Sequence, residues 1–179
     1  MATKKQERTR KLLEDFGKRV VKMSKRNLTD KGKVAGGTLH KSLGFELKFE
    51  KGEPVFDWVG TNYATYVDRG VSGTKRKYNT PHAYTVHQPP SSALDGWVVR
   101  KNLAPRDSSG RFTGRSVSSV GFRKSITFLI ARKIKSYGIK PTNFFQDAFD
   151  SVYKNMPDQF VKAFGEDMLN TMETAFKTD

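Results

Sequence analysis

Between Lys4 and Arg26 the apolar residues Leu12, Leu13, Phe16, Val20 and Met23 recur at a helical spacing among lysines and arginines. That period predicts an amphipathic helix with one buried stripe and a basic outer face, slightly weakened by Gly17. Asn27 to Gly37 holds glycines and little to bury, so a loop is expected there. Thr38 to Leu43 reads as a helical turn feeding a strand, in which Phe45, Leu47 and Phe49 alternate with Glu46, Lys48 and Glu50. Alternation of this kind marks a half-buried strand. Lys51-Gly52-Glu53-Pro54 supplies a turn, and Val55 to Val59 the return strand of an antiparallel hairpin. Val55, Phe56, Trp58 and Val59 around Asp57 predict that both faces of the hairpin are at least partly covered. After Gly60, Asn62 is expected to cap a short helix from Tyr63 to Arg69, with Tyr63, Tyr66 and Val67 on one face and Gly70 as its stop.

From Val71 to Val120 the periodicity fades. Pro81, Pro89, Pro90 and Pro105 interrupt it, a Ser/Gly/Arg-rich run fills Asp107 to Ser119, and two short pieces, Ala83 to His87 and Gly96 to Arg100, look extended enough for strands. Such a stretch predicts a long surface excursion. The helical period returns from Phe122 to Tyr137 in Ile126, Leu129, Ile130 and Ile134; Gly138 ends it and Pro141 blocks its continuation. A further helix is expected from near Thr142 or Asn143, with Phe145, Phe149 and Val152 on successive turns. Pro157 either opens a last helix or kinks a continuous one. In that helix Phe160, Phe164, Met168, Met172 and Phe176 follow one another at i+4, with Val161 and Leu169 beside them. The ladder from Phe144 to Phe176 is expected to be mainly core, with an excess that leaves room for a subunit interface. No repeat and no second folding unit is visible. The expectation is an α+β fold: a single domain over residues 1–179, its small antiparallel sheet packed with an N-terminal helix and C-terminal helices, and residues 71–120 forming an extended loop insertion.

The chain of 179 residues is long enough to build a core without cross-links, and it has no Cys. Disulfides and thiolate metal sites are therefore excluded, which suits a reducing cytoplasm. No apolar run approaches the roughly 20 residues of a membrane span, and the basic N-terminus lacks the apolar segment of a secretory signal. A soluble protein without membrane contact is expected. The net charge of +15 is spread unevenly: Lys/Arg against Asp/Glu is 14 to 6 over residues 1–50, 6 to 4 over 51–100, 10 to 1 over 101–140 and 3 to 7 over 141–179. A positive body with an acidic C-terminal helix either stacks head to tail with copies of itself or meets a polyanion on one face. Charge alone does not choose.

Candidate chemistry is sparse. His82 and His87 are the closest pair of possible metal ligands, but five apart in an extended segment they point to opposite faces; His40 is isolated, and no carboxylate cluster joins any of them. No nucleophile motif, carboxylate dyad or phosphate-cradling loop is present; Gly70-Val71-Ser72-Gly73-Thr74-Lys75 has the wrong spacing for the last. A metal-dependent nuclease would need carboxylates near a basic groove, and the most basic block offers Asp107 alone. The expectation is no enzymatic activity, no cofactor and no metal. Lys75, Arg76 and Lys77, and the series Arg106, Arg111 and Arg115, lie in irregular sequence with Tyr78, Tyr84 and Trp97 interspersed. They read either as phosphate-contacting cations facing DNA without sequence preference or as a basic surface that pairs with acidic neighbours in an assembly.

Three blocks carry a resemblance. Gly36-Gly37-Thr38-Leu39-His40-Lys41-Ser42-Leu43, with Thr38, Leu39 and Ser42, leads into the first strand. Val59-Gly60-Thr61-Asn62-Tyr63-Ala64-Thr65-Tyr66-Val67-Asp68-Arg69-Gly70 runs from strand into helix, and Gly138 to Phe149, with Pro141, Phe144 and Ala148, opens the C-terminal helices. Together and in this order they resemble the tail-completion, or head-to-tail joining, proteins of long-tailed bacteriophages, over about a third of the chain. After Gly70 the pattern departs from that family, where a long basic insertion follows. The resemblance implies a virion structural protein of the neck, present in the host cytoplasm during assembly. Its partners would be copies of itself in a ring, most often of six, the neck or portal-adaptor proteins on one side, and the tail tube or tail terminator on the other. The ring would surround the passage of the genome and touch DNA without reading its sequence. The alternative from a different class is a free DNA-binding protein that packages or protects DNA.

Overall fold

The computed structural model describes residues 6–34, 36–51, 53–114 and 120–176. Among these the elements run α1 (Glu7–Asp30), α2 (Thr38–Ser42), β1 (Gly44–Glu50), β2 (Glu53–Val59), α3 (Ala64–Arg69), α4 (Ser92–Arg100), α5 (Val120–Tyr137), α6 (Gln146–Tyr153) and α7 (Met156–Phe176). The fold is α+β, with one antiparallel sheet of two strands among the described residues. Contacts cluster in two compact units. The first takes the described residues of Met1–Lys31, Leu39–Thr61 and Phe144–Asp179, the second those of Gly32–Thr38 and Asn62–Asn143.

In the first unit α1 buries Thr9, Leu13, Phe16, Gly17, Val20, Ser24 and Leu28, a single stripe along its length. Leu12 and Met23, expected in that stripe, sit on its margin and are half-buried. The start expected at Lys4 lies outside the described residues. At the other end α1 outruns the expected stop at Arg26. Leu28 continues the buried stripe, and the Asn27 side-chain amide donates to the Phe144 carbonyl at 2.9 Å, so a tertiary partner extends the helix into what reads as loop. Gly17 has a use that propensity hides: a Cβ there would fall within the ring of Phe45, so the glycine lets β1 lie close against the helix.

The hairpin pairs Phe45 with Trp58, Leu47 with Phe56 and Phe49 with Pro54, putting the large side chains on one face. β2 starts at Glu53, two residues earlier than expected, because Glu50 pairs with Glu53. The apolar face meets Phe16, Phe145, Phe149 and Tyr153 in one aromatic cluster: Phe16 lies 5.6 Å from Phe56 and 5.7 Å from Phe149, and Trp58 5.1 Å from Phe145, all edge to face. The other face is not covered as expected. It carries Glu46, Lys48 and Asp57, with the Lys48 ammonium 2.6 Å from Asp57 and 3.2 Å from Glu46, beside an exposed Val59. Charge satisfied at the surface removes the need for cover.

The expected ladder after Pro157 is corrected. Pro157 does open a helix, α7, but Phe164, Met168 and Met172 are exposed, as are Val161 and Leu169; the Phe176 side chain lies outside the described residues. An i+4 step advances about 40° around a helix of 3.6 residues per turn, so the ladder drifts from the half-buried Phe160 onto the outer side, where Phe164, Met168 and Met172 lie. What α7 turns toward α1 is the side bearing Asp167. That carboxylate accepts from the Thr9 amide and hydroxyl, both at 2.8 Å, and from the Arg8 amide at 3.4 Å. Since Gln6 makes no side-chain cap, Asp167 supplies the missing acceptor at the start of α1.

Burial works against the Asp167 charge, but the Thr9 bonds, the Arg8 amide and the Arg8 guanidinium outweigh it and hold the carboxyl below its ordinary 3.8. A group whose folded pKa is depressed adds stability above its unfolded value and loses it as pH falls through the folded one. Asp167→Asn keeps an acceptor for Thr9 but removes the charge at the start of α1, and is therefore expected to cost about 0.3–1 kcal/mol at neutral pH. The variant should also flatten the loss of stability below pH 4, read from urea midpoints at several pH values. Equal acid limbs in the two proteins would show that the carboxylate charge is not what caps α1.

In the second unit α4 packs on α5, with Val98, Thr127 and Ala131 buried. The strand expected over Gly96 to Arg100 is the second half of α4. Leu94, Trp97 and Val98 share a helical face, and that burial overrides the β-preference of Val98-Val99. Ala83 to His87 forms no strand either; Ala83 makes an isolated parallel bridge to Ser72. In α5 the expected stripe holds for Ile126, Ile130 and Ile134, which are half-buried, whereas Leu129 is exposed. The insertion is thus more regular than its prolines suggest, and a small hairpin in it bridges Arg106 to Phe112.

Candidate functional site

The motif residues occupy the corners of the fold. In the first unit Leu39 of α2 is buried, and the Ser42 hydroxyl donates to the Leu39 carbonyl at 2.9 Å while accepting from the Thr61 amide at 3.1 Å. Gly44 pairs with Val59 next to it. The first and second motif blocks therefore meet at the open end of the hairpin, and Thr38 and Gly60 flank that junction in the sequence. Phe144, from the third block, is buried to 1% exposure, with its carbonyl held by Asn27.

In the second unit the second and third blocks are sewn together. The carbonyls that end α3, Val67 and Asp68, accept from Thr142 and Asn143: the Thr142 hydroxyl reaches the Val67 oxygen at 2.7 Å, and the Thr142 and Asn143 amides reach the Asp68 oxygen at 3.0 and 2.9 Å. These bonds satisfy helix-end carbonyls that would otherwise lack partners. Gly70 closes α3 at φ +75, and Val71 then forms a reciprocal pair with Ile139, at 2.9 Å in one direction and 2.8 Å in the other. Pro141 lies against Gly70. Gly138 ends α5 at φ +73, its amide bonded to the Ile134 carbonyl at 2.7 Å. Below it the turn after Ser72 is tied to the end of α5, Thr74 to the Lys135 carbonyl at 2.9 Å and Lys75 to the Ser136 carbonyl at 2.8 Å. Asn62, expected as a cap, is not one: α3 begins at Ala64 with Tyr63 at its cap position and no side-chain bond there. Tyr63 and Tyr66 are exposed, Tyr66 with its ring 4.6 Å from that of His82.

The basic candidates form two groups. Lys75, Arg76 and Lys77 are consecutive and exposed on the tied turn, Arg76 5.3 Å above the Tyr78 ring. The Ser72 hydroxyl fixes that turn by accepting from the Tyr78 amide and donating to its carbonyl, both at 2.9 Å. Arg106 and Arg111 stand on the small hairpin. Its turn is built by Asp107, whose carboxylate accepts from the Ser109 and Arg111 amides at 2.9 Å each. Arg106 stacks 4.1 Å above an exposed Phe112 and donates to the Gly110 carbonyl at 2.9 Å. Arg115 lies outside the described residues. Among the described residues none of these cations is in a salt bridge, whereas Arg123 of α5 faces Asp95 of α4 at 3.7 Å.

Among the described residues no three His, Cys, Asp or Glu side chains converge as a metal site, and no helix is long and apolar enough to cross a membrane. Ser72, Thr142 and Asp167 are buried polar groups that the sequence reading did not single out. The one sequence signal for Thr142 is its place just after Pro141, at an expected helix start. Comparison of the chain with protein-family models, with curated proteins and with solved structures found no match.

Proposed function

We propose that this chain is a structural subunit of a bacteriophage neck, a tail-completion ring that joins the head connector to the tail around the genome passage. The observation that carries this reading is the seam itself. Motif blocks some seventy residues apart are bonded at Val67–Thr142 and Asp68–Asn143, and Val71, just past the end of the second block, pairs with Ile139. Their glycines, proline and hydroxyls serve as corners of a scaffold and do not converge as reacting groups. Residues of this kind define a shape, as a ring subunit requires. The exposed cations of the tied turn and of the Arg106 hairpin suit a lumen through which DNA passes, with phosphates as the contacted groups.

Those exposed cations, none of them in a salt bridge among the described residues, also favour the second reading, a free DNA-binding protein. Electron microscopy over a concentration series, together with duplex-DNA binding over a salt series, separates the two. The ring reading expects annular particles and weak DNA binding. If instead Lys75, Arg76, Lys77, Arg106 and Arg111 each neutralise a phosphate, log affinity should fall against log salt with a slope of about −4 to −5. A monomer that binds duplex DNA with that slope would replace the first reading by the second.

A further inference from the structure

We propose that the outer face of α7 docks on the outer face of α5 in a neighbouring copy, so that copies join head to tail. Only the expectation that copies join in a ring rests on the reading above; the pairing of surfaces rests on the two helices. Along α7, Val161, Phe164, Met168, Leu169 and Met172 are between 40% and 71% exposed. Their spacings of three, four and one place them on one side of the helix, away from the Asp167 side that binds α1. An apolar stripe of this length is more than a monomer ordinarily leaves in water. α7 carries four carboxylates and one lysine, with Asp158 and Glu173 exposed beside the stripe.

The outer face of α5 is its complement. Phe128 and Leu129 are 49% and 56% exposed, framed by the exposed Lys124, Arg132 and Lys133. Lys124, Phe128 and Arg132 form one ridge, and Ser125, Leu129 and Lys133 the next. The helix holds five cations and no carboxylate, and among the described residues those three make no salt bridge. Pairing α7 with α7 would oppose carboxylates, and pairing α5 with α5 would oppose cations. Pairing α7 with α5 covers both apolar faces and brings unlike charges together around them. The contact uses a different surface on each partner, so it repeats from copy to copy and closes where the rotation allows.

Two single substitutions at exposed positions test it: Met168→Glu on α7 and Leu129→Glu on α5, each checked for an unchanged circular dichroism spectrum and then followed by sedimentation velocity. The wild type is expected to form closed oligomers, each variant alone to lose association, and an equimolar mixture to form a dimer and nothing larger. One intact face of each kind remains in that mixture. A mixture that stays monomeric overturns the pairing. So does an association lost in Met168→Glu and unchanged in Leu129→Glu, the pattern of α7 pairing with itself. Rings that survive both substitutions overturn this interface and leave the ring standing; a wild type that is monomeric at every concentration overturns both.

Discussion

Replacing Gly138 by valine is expected to unfold the second unit, or to destabilise it by more than about 3 kcal/mol. Two costs add. A β-branched residue is forced to φ +73, where L side chains pay roughly 1–2 kcal/mol before any contact is counted. Its Cβ would also strike the Val71 carbonyl and the Gly73 amide, backbone atoms that cannot swing aside. Those atoms belong to the turn that pairs with the end of α5, so relief of the clash breaks the pairing. Trp58 and Trp97 are the two tryptophans, one in each unit. In a Trp58→Phe background, Trp97 fluorescence in urea therefore reports on the second unit. A midpoint within error of the parent would mean that the turn is not held against α5 as described.

Truncating Phe144 to alanine is expected to cost the first unit about 3–5 kcal/mol, the range for removing a buried aromatic side chain. At 1% exposure it is the largest fully buried side chain among the described residues. Its backbone is held by Asn27, which limits how far the chain can collapse into the cavity. The measurement is the complementary one, Trp58 fluorescence in a Trp97→Phe background, since Trp58 sits beside Phe145 in the aromatic cluster. Phe144→Leu should recover most of the loss. A cost below about 1 kcal/mol for the alanine would contradict close packing at this position.

The elements with strong local periods were legible in the sequence. Alternation at Phe45, Leu47 and Phe49 gave the hairpin with its buried face, and the stripe through Leu13, Phe16 and Val20 gave α1, because in each case local period and buried face coincide. What escaped depends on partners far along the chain. The last turn of α1 is held by Phe144, a residue 117 positions away, and the cap of α1 comes from Asp167, 158 positions from Thr9. Neither leaves a local trace. α4 was missed because two adjacent valines outweighed a helical spacing visible only across Leu94, Trp97 and Val98. Both faces of α7 are apolar enough to read as core, and only the tertiary position of Asp167 tells which one turns inward. Of the candidate site, the glycine and proline corners were readable from backbone chemistry. The bonds that join them were not, since nothing in the local sequence of Thr142 or Ser72 tells which backbone groups their hydroxyls will bond.

The clasp between α3 and Thr142–Asn143 has a consequence for how this chain can vary. Within the second unit it fixes the two ends of everything from Arg69 to Pro141 side by side, with bonds of 2.9 and 3.0 Å at Asp68. A segment that leaves and returns through one gate can lengthen, shorten or change its charge without moving what lies outside that gate. The irregular stretch between α3 and α5 is therefore expected to tolerate changes of length and charge as long as the bonds at Asp68 are kept.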